Sequence, residues 1–89
     1  MNRYFKSPAS RHTLGEGTIW VEFEGEYPTR QAERFGDKWF SSAADRFRIT
    51  DQPLSNMDPE IWEDEISREE FEAAWEEALR QLSGGGQSP

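Results

Sequence analysis

Ten carboxylates fall within the run DPEIWEDEISREEFEAAWEE: Asp58, Glu60, Glu63, Asp64, Glu65, Glu69, Glu70, Glu72, Glu76 and Glu77, with Arg68 as the run's one base. Carboxylates at this density could move protons, hold a hard cation or present a negative field to a basic partner. Close pairs arise by chance when ten acids share one segment, so pairing alone marks no acid–base dyad. Glu63-Asp64-Glu65 lacks the spaced oxygen ligands and the glycine of a calcium loop. His12 is the single histidine, and there is no cysteine. No phosphate-binding glycine loop or nucleophile–histidine–acid pattern is present. The expectation is a chain that is no enzyme and needs neither cofactor nor metal.

The negative field is the remaining chemistry. Residues 1–57 carry eight acids and eight bases, so the formal charge of -8 sits on the C-terminal segment. Such a segment repels nucleic acid and anionic membranes and attracts basic surfaces. Trp62, Glu63, Asp64, Glu65, Glu69, Glu72 and Glu76 form the candidate partner-binding set, with Trp62 as an apolar anchor inside a charged rim. The competing reading is a solvated helix face that keeps the protein dispersed. Arg30, Arg34, Lys38, Arg46 and Arg48 cluster on expected strands near aromatics, an arrangement that could also touch RNA. A pI near 4.6 argues against that and for ion pairing with the acidic segment.

The elements that must position these groups follow from periodicity. Asn2 to Lys6 reads as a short strand and Ser7 to Gly17 as a loop. Thr18 to Glu24 alternates Ile19, Val21 and Phe23 with Trp20, Glu22 and Glu24, as a half-buried strand does. Gly25-Glu26 and Gly36-Asp37 supply two tight turns, bracketing a strand from Tyr27 to Phe35 and leading into another at Trp39. With Gly25-Glu26 as a simple two-residue turn, Ile19, Val21, Phe23, Ala32 and Trp39 share the face that a helix should cover. Trp20, Tyr27, Phe35 and Phe40 then lie on the opposite face, among Glu22, Gln31 and Glu33. Phe47 and Ile49 suggest a last irregular strand, residues 51–56 a loop, and Asp58-Pro59 the start of a helical turn or two reaching Asp64.

The strongest local signal is the final helix. Ser67 and Glu70 make a capping box, and Ile66 with Phe71 the matching hydrophobic staple. Phe71, Trp75, Ala78 and Leu82 form one apolar stripe, and Glu76 with Arg80 a favourable i,i+4 pair. The Gly-rich residues 84–89 read as a flexible tail after a single domain spanning 1–83. The fold class is therefore α+β: an antiparallel meander of four or five strands with one long C-terminal helix on one face.

A chain of 89 residues must build an economical core, which four Trp, six Phe and two Tyr supply. No apolar run approaches the 18 residues of a membrane span, and the first ten residues lack the apolar stretch of a secretory signal. A reducing cytoplasm is the expected location.

The stretch Glu65-Ile66-Ser67-Arg68-Glu69-Glu70-Phe71-Glu72 with Trp75, together with Arg30-Gln31, Glu33, Gly36 and Asp51-Gln52-Pro53, resembles a family of small bacterial domains of unassigned activity. That resemblance implies the same order of elements and carries over no catalytic residue. The combined expectation is non-catalytic binding of a basic protein, immunity-like or inhibitory, with a toxin or nucleic-acid-handling protein as the partner. The alternative is a structural or self-associating module using the second sheet face. Oligomeric state is not encoded in these features.

Overall fold

Gly25 and Gly36 have φ of +62° and +66°, while Glu26 and Asp37 keep negative φ. One positive φ at the first central residue is the type II′ pattern, whose twist matches that of the flanking strands. A computed structural model describes residues 2–44, 49–50, 53–56 and 64–83. The strands are β1 (Asn2–Arg11), β2 (Gly15–Glu24), β3 (Tyr27–Phe35), β4 (Lys38–Ser41) and β5 (Asp64–Ile66), followed by the helix α1 (Arg68–Leu82). They form one antiparallel sheet in the order β4-β3-β2-β1-β5. The first four strands make a meander, and β5 returns to the far side of β1.

Two local expectations are corrected. The loop expected from Ser7 to Gly17 is largely strand: Ser7 to Arg11 pair with Ile19 to Gly15, and the turn occupies only residues 12–14. Polar, Pro-bearing composition suggested a loop, yet a ladder asks only for backbone groups. Pro8 lies beyond the stretch from Tyr4 to Lys6 that β5 pairs with, so among the described residues its missing donor interrupts no ladder on that side. Asp64 opens a strand rather than closing a helical turn. The expected turn at 59–63, most of the expected strand around Phe47 and the tail at 84–89 lie outside the described residues. Ile49 and Thr50 are not in a strand, and Leu54–Asn56 forms a single 3-10 turn.

A third correction concerns the faces of the sheet. Phe23 pairs with Pro28, but Glu22 pairs with Arg30, so Thr29 is an extra residue in β3. Its hydroxyl donates to the Glu22 carbonyl at 3.2 Å and to Glu22 Oε1 at 2.7 Å. Beyond this bulge Val21 faces Gln31 and Trp20 faces Ala32. A one-residue slip exchanges every side chain between faces. Ala32 and Trp39 therefore share a face with Tyr4, Trp20, Glu22 and Arg30, and this is the face α1 covers: Phe71 packs on Tyr4 with ring centroids 5.3 Å apart. Phe5, Val21 and Phe23 form a core on the opposite face, where Ile19 and Leu54 pack against them. The strap carrying Leu54 is pinned by Leu54 N–H to the Glu26 carbonyl at 2.9 Å and Thr50 N–H to Gln31 Oε1 at 2.9 Å. Gly17 is required where β2 meets β3, because a Cβ there would collide with the Arg34 carbonyl oxygen and the Phe35 ring.

The helix starts where the capping box places it. Ser67 is extended, and its hydroxyl accepts the Glu70 N–H at 3.1 Å. The Glu70 carboxylate reaches across to Lys6. Ile66 pairs with Tyr4, whose ring carries Phe71. Phe71, Ala74 and Ala78 are buried, Trp75 is half-buried and Leu82 is exposed, so the buried stripe turns through Ala74 rather than Trp75 and stops before Leu82. Arg80 pairs with Glu77 rather than with Glu76. Ser67→Ala leaves an N-terminal amide without its acceptor and is expected to cost about 0.5–2 kcal/mol. Thermal melts with a midpoint equal to wild type would show that the hydroxyl is dispensable.

Candidate functional site

The acidic segment meets the sheet through arginine. Arg30 projects from β3 just past the bulge. It donates from Nε to Glu22 Oε1 at 2.7 Å and from Nη2 to Glu22 Oε2 at 2.9 Å. The same guanidinium reaches Glu72 on α1, with Nη2 to Oε2 at 2.7 Å and Nη1 to Oε1 at 3.2 Å. It also lies 5.0 Å and 5.1 Å from the ring centres of Phe71 and Trp75. Glu22 is only 5% exposed and takes further donors from Thr29 and from Asn2 Nδ2. These bonds, Arg30 foremost, hold the Glu22 carboxyl down to about 2 against burial, which opposes its charge. Glu72 is lowered for the same first cause.

Other acids of the segment are also engaged. Glu65 on β5 takes Arg3 from β1 through two bonds, at 2.8 Å and 3.0 Å, which lower its carboxyl. Glu70 takes Lys6 Nζ at 2.9 Å and raises that ammonium. Glu77 takes Arg80 and Gln81. Glu22, Glu65 and Glu72, held ionised by such pairing, are poor proton carriers near neutral pH. The pairs of Glu65, Glu70 and Glu72 tie β5 and α1 to the sheet, whereas Glu77 bonds within α1.

Asp64, Glu69 and Glu76 stand apart. All three are exposed, and no described hydrogen bond or ion pair engages their carboxylates. Glu69 and Glu76 are seven residues apart, so they share the helix face turned away from buried Phe71, Ala74 and Ala78. The proposed set thus divides: Glu65 and Glu72 face inward to arginines, whereas Asp64, Glu69 and Glu76 face solvent. Trp62 and Glu63 lie outside the described residues.

Sequence reasoning missed one feature of the helix-side face. Trp20 and Trp39 stack across β3 with centroids 5.7 Å apart and planes 9° apart, and Arg34 lies 5.4 Å from the centre of Trp39. The simple turn register had put these two rings on opposite faces. Pro28-Thr29 early in β3, a residue without a backbone donor followed by one with a bonding hydroxyl, was the available signal for the slip.

Lys6, Ser7, Pro8, Thr18, Trp20 and Asp64 line a pocket of about 220 Å³ beside that stack. Among the described residues no group of three or more His, Cys, Asp or Glu is placed to hold a metal, and no helix is long and apolar enough to cross a membrane. No protein-family model, no curated protein and no solved structure matches the chain, so its function is read from the arrangement of its own charges.

Proposed function

We propose that the protein is a non-catalytic binding domain that docks on a basic protein surface through the outer side of β5 and α1, as an immunity protein or inhibitor covering a basic site would. One observation carries the reading. Basic residues of the sheet are used against Glu65, Glu70 and Glu72, and Asp64, Glu69 and Glu76 are left to face solvent. The inward pairs fix the backbone that presents the outward acids, so the field is carried by a rigid element. Preorganised negative charge speeds encounter with a basic partner more than it deepens affinity. A toxin or nucleic-acid-handling protein, whose working surface is basic, is the partner class that such a field fits, and a cytoplasmic location suits a chain without cysteine.

The experiment is association kinetics against a purified partner over a series of salt concentrations. Glu69→Lys with Glu76→Lys should lower the on-rate about tenfold or more at low salt, because exposed charges steer encounter. The melting curve should stay near wild type, since neither side chain touches the sheet. Glu65→Lys or Glu72→Lys should instead lower stability, by breaking a bond to Arg3 or Arg30. Equal on-rates for wild type and the doubly reversed variant would leave the helix as a solvated face and nothing more.

A further inference from the structure

The pocket beside Trp20 deepens this reading. Two adjacent cross-strand rows build it. Asp64, Lys6 and Trp20 lie in register on β5, β1 and β2, and Pro8 and Thr18 form the next row on the same face. Its groups combine in a specific way. The Trp20 indole is braced from the far side by Trp39, which fixes the aromatic wall. Lys6 donates to Glu70 at 2.9 Å, a bond that balances its ammonium while keeping it charged, and its stem stays in the lining. The Asp64 carboxylate faces the same ammonium from the neighbouring strand without bonding to it and helps to raise it, and the Thr18 hydroxyl is engaged by no described side chain. Two carboxylates, Glu70 and Asp64, thus share one ammonium, and the three groups together carry one net negative charge.

A rigid indole beside a carboxylate that takes no hydrogen bond from a described residue is the pairing that recognises a planar cation: the ring face attracts it and the carboxylate accepts its hydrogen bonds. The molecule already uses this chemistry internally. Arg3, Arg11, Arg30 and Arg34 each place a guanidinium 5.0–5.4 Å from an aromatic ring centre. We infer that the Trp20–Asp64 pocket receives an arginine side chain of the basic partner, the guanidinium lying against Trp20 and donating to Asp64 and Thr18. This inference rests on the docking reading, and it supplies what a field alone lacks, a fixed point that sets register between the two proteins.

The test uses the whole chain and N-acetyl-arginine methylamide as probe, followed by two-dimensional amide and indole NMR. The neutral citrulline analogue, of nearly the same shape, is the control. The arginine probe should shift the Trp20 indole and the Thr18 and Asp64 amides in a saturable way, and the citrulline analogue should not. Asp64→Asn, on an exposed side chain, should keep the fold and weaken binding about tenfold, the worth of one charge-assisted bond. Trp20→Phe should weaken it less, because a smaller ring remains.

Equal shifts from both probes, no shift at all, or shifts confined to Glu69 and Glu76 would overturn the pocket assignment. So would saturable binding of inorganic phosphate at Lys6 in place of arginine. Failure of the docking reading looks different. The Glu69 and Glu76 reversals would then leave the partner's on-rate untouched, while the arginine probe still found Trp20.

Discussion

Phe71→Ala is expected to destabilise the protein by about 3–5 kcal/mol, the usual cost of emptying a buried aromatic site. Total stabilities of about 5–15 kcal/mol make that loss large enough to unfold much of the population. Phe71 is fully buried, packs against Tyr4 and Trp75, and carries the Arg30 guanidinium on its face. Its removal opens a cavity and loosens the cover over the Glu22–Arg30–Glu72 bonds together. Trp75→Ala should cost about half as much, since that ring is half-buried and solvent can replace part of what it touches. Urea melts of the two variants make the comparison. Equal losses would mean that the helix is seated on Trp75 rather than on Phe71.

Arg30→Ala is the second large effect. It strips a nearly buried carboxylate of its main partner and is expected to cost about 3–5 kcal/mol at neutral pH. Most of that is the penalty of an uncompensated Glu22. Replacing both members by apolar residues, Glu22→Leu with Arg30→Met, should therefore recover much of the loss. The same network sets an acid limit. Glu22 has its carboxyl lowered from about 4.5 to about 2, so the folded state favours the ionised form. That stabilisation is fully present above pH 4.5 and fades as pH falls from about 4.5 toward 2. Its full size is on the order of 3 kcal/mol. Stability measured from pH 6 to pH 2 should show this loss in the wild type and little of it in the Glu22→Leu, Arg30→Met variant. An acid loss of equal size in both would assign it to other carboxylates.

Local chemistry was legible in the sequence wherever one residue type is demanded. Gly25 and Gly36 marked their turns because positive φ costs glycine least, and Ser67 marked the helix start because an orphan amide needs an acceptor. The strands at β2 and β3 showed in their alternation, and the α+β class followed from short turns and one terminal helix. Three residues beside β1 gave no such signal: Asp64–Ile66 form a strand only because β1 offers an open edge, a fact of tertiary placement. The assignment of faces failed for a single cause, the extra residue Thr29, which alternation beyond Pro28 cannot reveal. The candidate site was half legible. Charge segregation was visible in composition. Which acids turn inward depended on Arg3, Lys6 and Arg30 arriving beneath them, and only the register decides that.

Thr29 behaves toward the hairpin as an inserted letter behaves toward a reading frame. Were it drawn into the ladder, Val21 would stand opposite Arg30 and Ile19 opposite Ala32. Everything downstream in β3 would then be read on the wrong side: Arg30 would turn toward Leu54, and Glu33 and Phe35 toward the helix. The bulge holds the letter outside the frame, through the bonds of its hydroxyl to Glu22. Deleting Thr29 leaves Phe23 opposite Pro28 and Glu22 opposite Arg30, with every later pair as it stands. The hairpin can therefore lose this residue and keep its faces, but it cannot take it into the ladder without inverting the meaning of six residues at once.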